Sequence, residues 1–152
     1  VPGGESTTMR LIGNSSKSGL IPSLLRFMRQ NPQLPVLGTC AGAILLADPR
    51  DGKNSLIGSS IIRNGYGRQN ESFQAEIYSN LLMRKYPGIF IRAPKFSSIE
   101  DSSSVIATFG KDIVGVRKFN RIALSFHPEL SHDIGFHRWL LDQAIIYSEI
   151  LA

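Results

Sequence analysis

Cys40, the only cysteine, stands in Leu37-Gly38-Thr39-Cys40-Ala41-Gly42, between the apolar run Leu34-Pro35-Val36-Leu37 and the helix-like run Ala41 to Ala47. In that setting G-x-C-x-G is the thiol counterpart of the G-x-S-x-G nucleophile elbow: the glycines allow a tight turn, and the nucleophile stands above a sheet. A thiol at a helix N-terminus also feels the positive end of the helix dipole, which favours the thiolate. The plainer reading is a buried thiol acting as a small apolar side chain. A nucleophile needs an imidazole to take its proton and a third group to orient that imidazole. Of three histidines, His132 and His137 lie among polar residues near the last helix and read as surface positions. His127 follows the apolar run Ile122 to Phe126, and Pro128-Glu129 comes next. Proline restricts His127 to extended geometry, and Glu129, two residues on, can fold back onto the second ring nitrogen. Cys40, His127 and Glu129 thus read as a triad in the order Cys-His-Glu, a convergent arrangement known on α/β sheets. One cysteine and three histidines lack a zinc-ligand spacing, so no metal is expected, and the chemistry calls for no cofactor.

These groups must be positioned by an α/β scaffold. Pro2 to Met9 reads as a Gly-rich loop leading into a short helix, with Ser6 or Thr7 as N-cap. A phosphate loop is rejected there, because G-x-x-x-x-G-K-[ST] is absent and Glu5 is acidic. The turn's backbone N–H groups could still serve an oxyanion or a carboxylate. Leu20 to Gln30 is amphipathic and ends at Asn31-Pro32, before the strand that carries Cys40. Leu56 to Ile62 reads as a strand delivering Arg63-Asn64-Gly65-Tyr66-Gly67-Arg68-Gln69, either a binding loop whose arginine clamps a carboxylate or a solvated turn. Ser72 to Ile77 and Ile89 to Pro94 read as further strands, with Arg92 at the ligand-binding end of its strand. Val105 to Phe126 forms an antiparallel meander, and Gly135 to Ala152 a covering helix using Phe136, Trp139, Leu140, Ala144, Ile145 and Tyr147.

The 152 residues suit one domain, residues 1–152, with 42% hydrophobic and 19% charged residues. No apolar stretch reaches the roughly 18–20 residues of a membrane span. A lone cysteine and no signal peptide point to a reducing, cytoplasmic setting. Lysine and arginine number 17 against 12 acidic residues, but the basic residues are scattered. Their densest group, Arg117-Lys118 with Arg121, falls at a hairpin turn and reads as solvated surface, not a nucleic-acid site. The chain opens without methionine on Val1-Pro2-Gly3-Gly4, which reads as the end of a strand and its loop, so a preceding segment is expected to be missing.

Six motifs occur in order: Pro2-Gly3-Gly4-Glu5-Ser6-Thr7, Gly38-Thr39-Cys40-Ala41-Gly42, Arg63-Asn64-x-x-Gly67-Arg68-Gln69, Ser72-Phe73, Phe90-Ile91-Arg92-Ala93-Pro94 and Phe126-His127-Pro128-Glu129-Leu130. The set resembles the glutaminase subunit of pyridoxal 5′-phosphate synthase, a class I (triad) glutamine amidotransferase. The resemblance implies a three-layer, flavodoxin-like α/β fold with a mixed central sheet. It implies that Cys40 attacks the glutamine side-chain amide, that His127 shuttles protons and that Glu129 orients His127. Backbone N–H groups of Gly4 and Ala41 would form the oxyanion hole. Glutamine would lie against Gly4, Glu5, Ser6, Arg63, Ile91 and Arg92. Ammonia would pass to a (β/α)₈-barrel synthase subunit in a large hetero-oligomer. The family begins with a strand, a helix and a further strand before the Pro2-Gly3-Gly4-Glu5-Ser6 motif, and these 152 residues do not contain them, so the fold is expected to be N-terminally incomplete. A glutaminase of another amidotransferase, and a truncated non-catalytic module that binds the synthase, remain as alternative readings.

Overall fold

The computed structural model describes residues 1–67 and 71–152; Arg68 and Gln69 of the arginine loop lie outside them. Helix α1 (Ser6–Gly13) opens on Glu5, whose carboxylate accepts from the backbone N–H of Thr7 at 3.0 Å and of Thr8 at 2.6 Å. The expected cap, Ser6 or Thr7, is therefore corrected to Glu5. The Ser6 hydroxyl is drawn instead toward Arg63, whose Nη2 donates to it at 2.6 Å. Helix α2 (Leu20–Gln30) buries Ile21, Leu25 and Met28, one face at helical spacing, and leads into β1 (Val36–Thr39).

Helix α3 (Ala41–Ala47) follows β1 with no loop, and all seven of its residues are buried. Three strands come next in the chain: β2 (Ser59–Ile62), β3 (Ser72–Ser79) and β4 (Arg84–Ile91). Strand β2 starts later than expected because Gly58 turns the chain at φ 61°, leaving Leu56 and Ile57 as buried core outside any strand. Strand β4 starts five residues earlier than expected. Pro87 lies within it, which an edge position permits. Strand β5 (Lys95–Ile99), whose polar sequence carries little strand signal, pairs with β2 and touches β7.

Strands β6 (Ser104–Phe109), β7 (Asp112–Lys118) and β8 (Arg121–Leu124) form the expected meander. The main sheet runs β1-β8-β7-β6-β3-β4, with β5 and β2 branching from β7. It is mixed: β1 and β8 are parallel and the other pairs antiparallel. Strand β8 is buried throughout, as befits an interior strand with helices on its faces. Val36 and Ala123 face a core completed by α2 and α3. Their chain neighbours Leu37, Ile122 and Leu124 face the opposite core with Phe126 and Phe136, as the twofold alternation of a strand requires. Helices on both faces of a mixed sheet make the three layers.

Val1 lies beside the outer edge of β1. Its amino group donates to Leu37 O at 2.8 Å, and Thr39 N donates to Val1 O at 3.1 Å, two bonds that flank Gly38 as a parallel strand's would. A Cβ on Gly42 would meet Val1 O at 2.0 Å, so that glycine admits the Val1 backbone above α3.

Helix α4 (Gly135–Leu151) differs from the expected covering helix. Phe136 is fully buried and Trp139 and Leu140 partly so, but Ala144 and Ile145 are exposed, as are Leu141, Ile146 and Ile150. Its apolar residues are spread around the helix, and one sheet face cannot take them all. The basic hairpin is also corrected. Arg121 is buried, and its Nη2 donates to the carbonyls of Met28 and Asn31 at the end of α2, where a cation meets the negative end of the helix dipole. Arg117 donates to Phe119 O at 2.7 Å and Lys118 pairs with Glu100 at 3.0 Å. No helix of the described residues is long and apolar enough to cross a membrane.

Candidate active site

The parallel pairing of β1 with β8 sets the site. Thr39 stands opposite Leu124, and Cys40 N donates to Leu124 O at 2.9 Å. Cys40 therefore leaves β1 beside the point where β8 runs on through Ser125 and Phe126 to His127. Residues 87 positions apart meet because both strands point the same way and end together, the usual ligand-binding place in an α/β sheet. The sheet curls so that β4, at the other end of the strand path, closes the third side. His127 N donates to Ile89 O at 2.8 Å, and the Cys40 thiol donates to Ile91 O at 3.8 Å.

Cys40 adopts φ 46°, ψ −103°, a strained corner for a non-glycine residue. Ladder bonds on one side and the buried helix α3 on the other hold it there. Gly38 is required beneath it, since a Cβ would meet Leu46 Cδ1 at 2.6 Å and the Gly42 backbone at 2.9 Å. The first N–H groups of α3, Ala41 among them, have no acceptor within the helix and face the thiol's end of it.

His127 Nδ1 lies 2.7 Å from Glu129 Oε1. Pro128–Leu130 form a 3₁₀ turn that folds Glu129 back under the ring. The imidazole pKa is raised to about 9, first by the neighbouring Cys40 side chain and then by Glu129, against the opposing effect of burial. Gly3 lies against the same ring: a Cβ there would sit 2.5 Å from His127 Cε1 and 3.4 Å from Cys40 Cβ.

Gly4, Glu5, Ser6, Cys40, Arg63, Ile91, Arg92 and His127 line one cleft of about 290 Å³, together with Ile44 and Asn64. Eight expected residues thus share one space, Glu129 stands behind His127, and Ala41 follows Cys40. Glu5 spends its carboxylate on the α1 cap, and those bonds hold its pKa at about 2. Arg63 Nη2 donates to Thr7 Oγ1 at 3.2 Å as well as to Ser6, which ties the arginine loop to the Gly3-Gly4 turn. Arg92 enters from β4 at φ 43° and Asn64 from the loop at φ 50°.

Asn64 and Ile44 line the cleft beyond the residues expected from the sequence. Asn64 carried a usable signal, because Asn before Gly often takes a left-handed turn position. Ile44 carried none beyond its place one helical turn after Cys40. A larger groove of about 910 Å³ runs along the edge of β4 past His132 and Asp133, away from the thiol. His132 and His137 are exposed. Among the described residues no three His, Cys, Asp or Glu side chains gather as metal ligands.

The chain is 42% identical over 151 residues to the pyridoxal 5′-phosphate synthase subunit PdxT of Streptomyces griseus, covering 93% of this chain and 74% of that protein. It is 39% identical over 152 residues to the subunit of the same name from Thermococcus onnurineus, covering 95% and 75%. A crystal structure of a glutamine amidotransferase superposes with a TM-score of 0.81 at 36% identity, covering 95% of this chain and 77% of that one. Residues 1–146 match the model of the SNO glutamine amidotransferase family. With a thiol elbow, an imidazole and a carboxylate at the joined ends of two parallel strands, this chain belongs to the SNO glutamine amidotransferase family.

Proposed function

We propose that the protein hydrolyses L-glutamine to L-glutamate and ammonia in the cytoplasm and passes the ammonia to a synthase subunit that makes pyridoxal 5′-phosphate. The observation that carries this reading is the convergence of Cys40, His127 and the Glu129-held imidazole in a cleft that also holds Glu5, Arg63 and Arg92. The relatives' role as pyridoxal 5′-phosphate synthase subunits supplies the destination of the ammonia.

In the first half-reaction the Cys40 proton passes to His127 and the thiolate attacks the side-chain amide carbon. The oxyanion of the tetrahedral intermediate takes hydrogen bonds from the backbone N–H groups of Gly4 and Ala41. Collapse breaks the C–N bond, His127 gives its proton to the leaving nitrogen, and a glutamyl thioester with ammonia results. In the second half-reaction His127 takes a proton from water, the hydroxide attacks the thioester, and glutamate leaves as the thiol is restored. Glu129 neutralises the imidazolium formed in each half. Glu5 suits the substrate's α-ammonium, and the arginines suit its α-carboxylate. Ser6 and the Ile91 backbone complete the walls.

The partner is a (β/α)₈-barrel synthase subunit in a large hetero-oligomer. The test is glutamate release from glutamine with that subunit present. Activity that disappears in Cys40→Ala supports the reading. No release with the partner, release restored only by a different synthase, or full activity in Cys40→Ala would overturn it.

A further inference from the structure

The two arginine-bearing walls of the cleft come from separate parts of the chain, the loop after β2 and the end of β4. They meet behind the cleft in one aromatic cluster. Phe73 of β3 stacks on Phe90 of β4 at 4.6 Å with planes 7° apart. The Tyr66 ring meets Phe73 at 5.0 Å and Phe90 at 5.8 Å, both edge-on. Phe90 directly precedes Ile91 and Arg92, and Tyr66 follows Arg63 and Asn64 by three and two residues. The Lys95 ammonium lies over the Tyr66 ring at 4.2 Å from the centroid, and Lys95 is itself held by Asp112 at 2.9 Å. Gly65 closes the contact: its N–H donates to Ala93 O at 3.0 Å, and a Cβ there would meet Lys95 Cγ at 2.4 Å.

We propose that Tyr66, held by the Phe73–Phe90 pair and Lys95, is a positioning residue that sets the spacing of Arg63 and Arg92 across the cleft and so the affinity for the substrate's α-carboxylate. This rests on the glutaminase reading above. Edge-on aromatic contacts and a cation over the ring face are directional, so they fix the loop's approach and not only its burial. The Tyr66 hydroxyl is buried near Asp112 and makes no hydrogen bond of good geometry among the described residues. The ring, not the hydroxyl, therefore does the holding. Tyr66 touches neither the thiol nor the imidazole, so the chemistry at Cys40 is independent of it.

The experiment compares wild type, Tyr66→Phe, Tyr66→Leu and Tyr66→Ala, each with the synthase subunit present. Tyr66→Phe is expected to match wild type. Tyr66→Leu and Tyr66→Ala are expected to raise KM for glutamine by about tenfold or more with kcat within about threefold, the mark of lost substrate binding. A second readout labels Cys40 with a chloroketone analogue of L-glutamine, which needs carboxylate recognition, and with iodoacetamide, which does not. Labelling by the analogue should slow by about the same factor while iodoacetamide labelling stays unchanged. If Tyr66→Ala does not fold by circular dichroism, Tyr66→Leu carries the comparison. Unchanged KM in both truncations, equal slowing of both reagents, or a Tyr66→Phe defect as large as Tyr66→Leu would overturn the proposal. If glutamine gives wild-type Cys40 no protection from the analogue, the glutaminase reading itself falls, and this assignment with it.

Discussion

His127 Nδ1 and Glu129 Oε1 are 2.7 Å apart across a single proline, so the base and its orienter share one rigid 3₁₀ turn. Glu129→Gln keeps a hydrogen-bond acceptor at that place but removes the charge that offsets the imidazolium. The expected result is a fall in kcat of about 10- to 1,000-fold with KM little changed. Steady-state glutaminase assays check it, and an unchanged kcat would remove Glu129 from the triad.

The pH dependence follows from the imidazole. Its pKa is raised from 6.5 to about 9, with Cys40 as the first cause. A raised value means that the folded state binds the proton more tightly. The stability it contributes is therefore fully present below pH 6.5 and lost as pH rises through about 9. Urea unfolding should show the advantage of wild type over His127→Asn shrinking across that window. Nuclear magnetic resonance titration should place the His127 pKa lower in Cys40→Ala than in Glu129→Gln.

Gly3 and Gly4 should tolerate alanine badly for different reasons. At Gly3 the methyl would sit 2.5 Å from His127 Cε1, so Gly3→Ala must displace the ring from Cys40. At Gly4 nothing lies within 4 Å, but φ is 143°, a conformation that side chains rarely adopt. Gly3→Ala is expected to slow iodoacetamide labelling of Cys40. Gly4→Ala should leave labelling intact while lowering kcat, because it disturbs the oxyanion turn. Identical labelling rates in the two variants would contradict this division.

Structure and chemistry should separate at Arg121 and stay coupled at Leu46, both buried positions. Arg121→Met removes the side-chain donor from the carbonyls of Met28 and Asn31, of which Asn31 keeps the Leu34 N–H at 3.0 Å, at a cost of about 1–3 kcal/mol. Leu46→Ala empties a fully buried site against β1 and should cost about 2–5 kcal/mol. Both are checked by denaturant titration. Leu46 also braces Gly38 beneath the elbow, so only Arg121→Met is expected to keep kcat near wild type.

The chemistry was largely visible in short stretches of chain. The glycines around Cys40, and His127-Pro128-Glu129, state local geometry, because each needs only neighbours within two or three residues. Side-chain roles set by distant groups were not visible. Ser6 looked like a helix cap until Arg63, 57 residues away, took its hydroxyl and left Glu5 to cap α1. Arg121 looked solvated until α2 placed two carbonyls over it. Strand β5 was hidden by its serines, since its pairing with β2 comes from backbone bonds and not from an apolar pattern.

By itself, the sequence determined which groups could react: one thiol on a glycine corner, one imidazole before a proline, one carboxylate two residues later. Tertiary structure decided that they meet. The parallel register of β1 with β8 brings Cys40 and His127 to the same end of the sheet, and the curl of the sheet returns β4 to close the cleft. No local stretch encodes that register. It follows from burying the alternate faces of β1 and β8 in two cores at once, a requirement that only the assembled chain can meet.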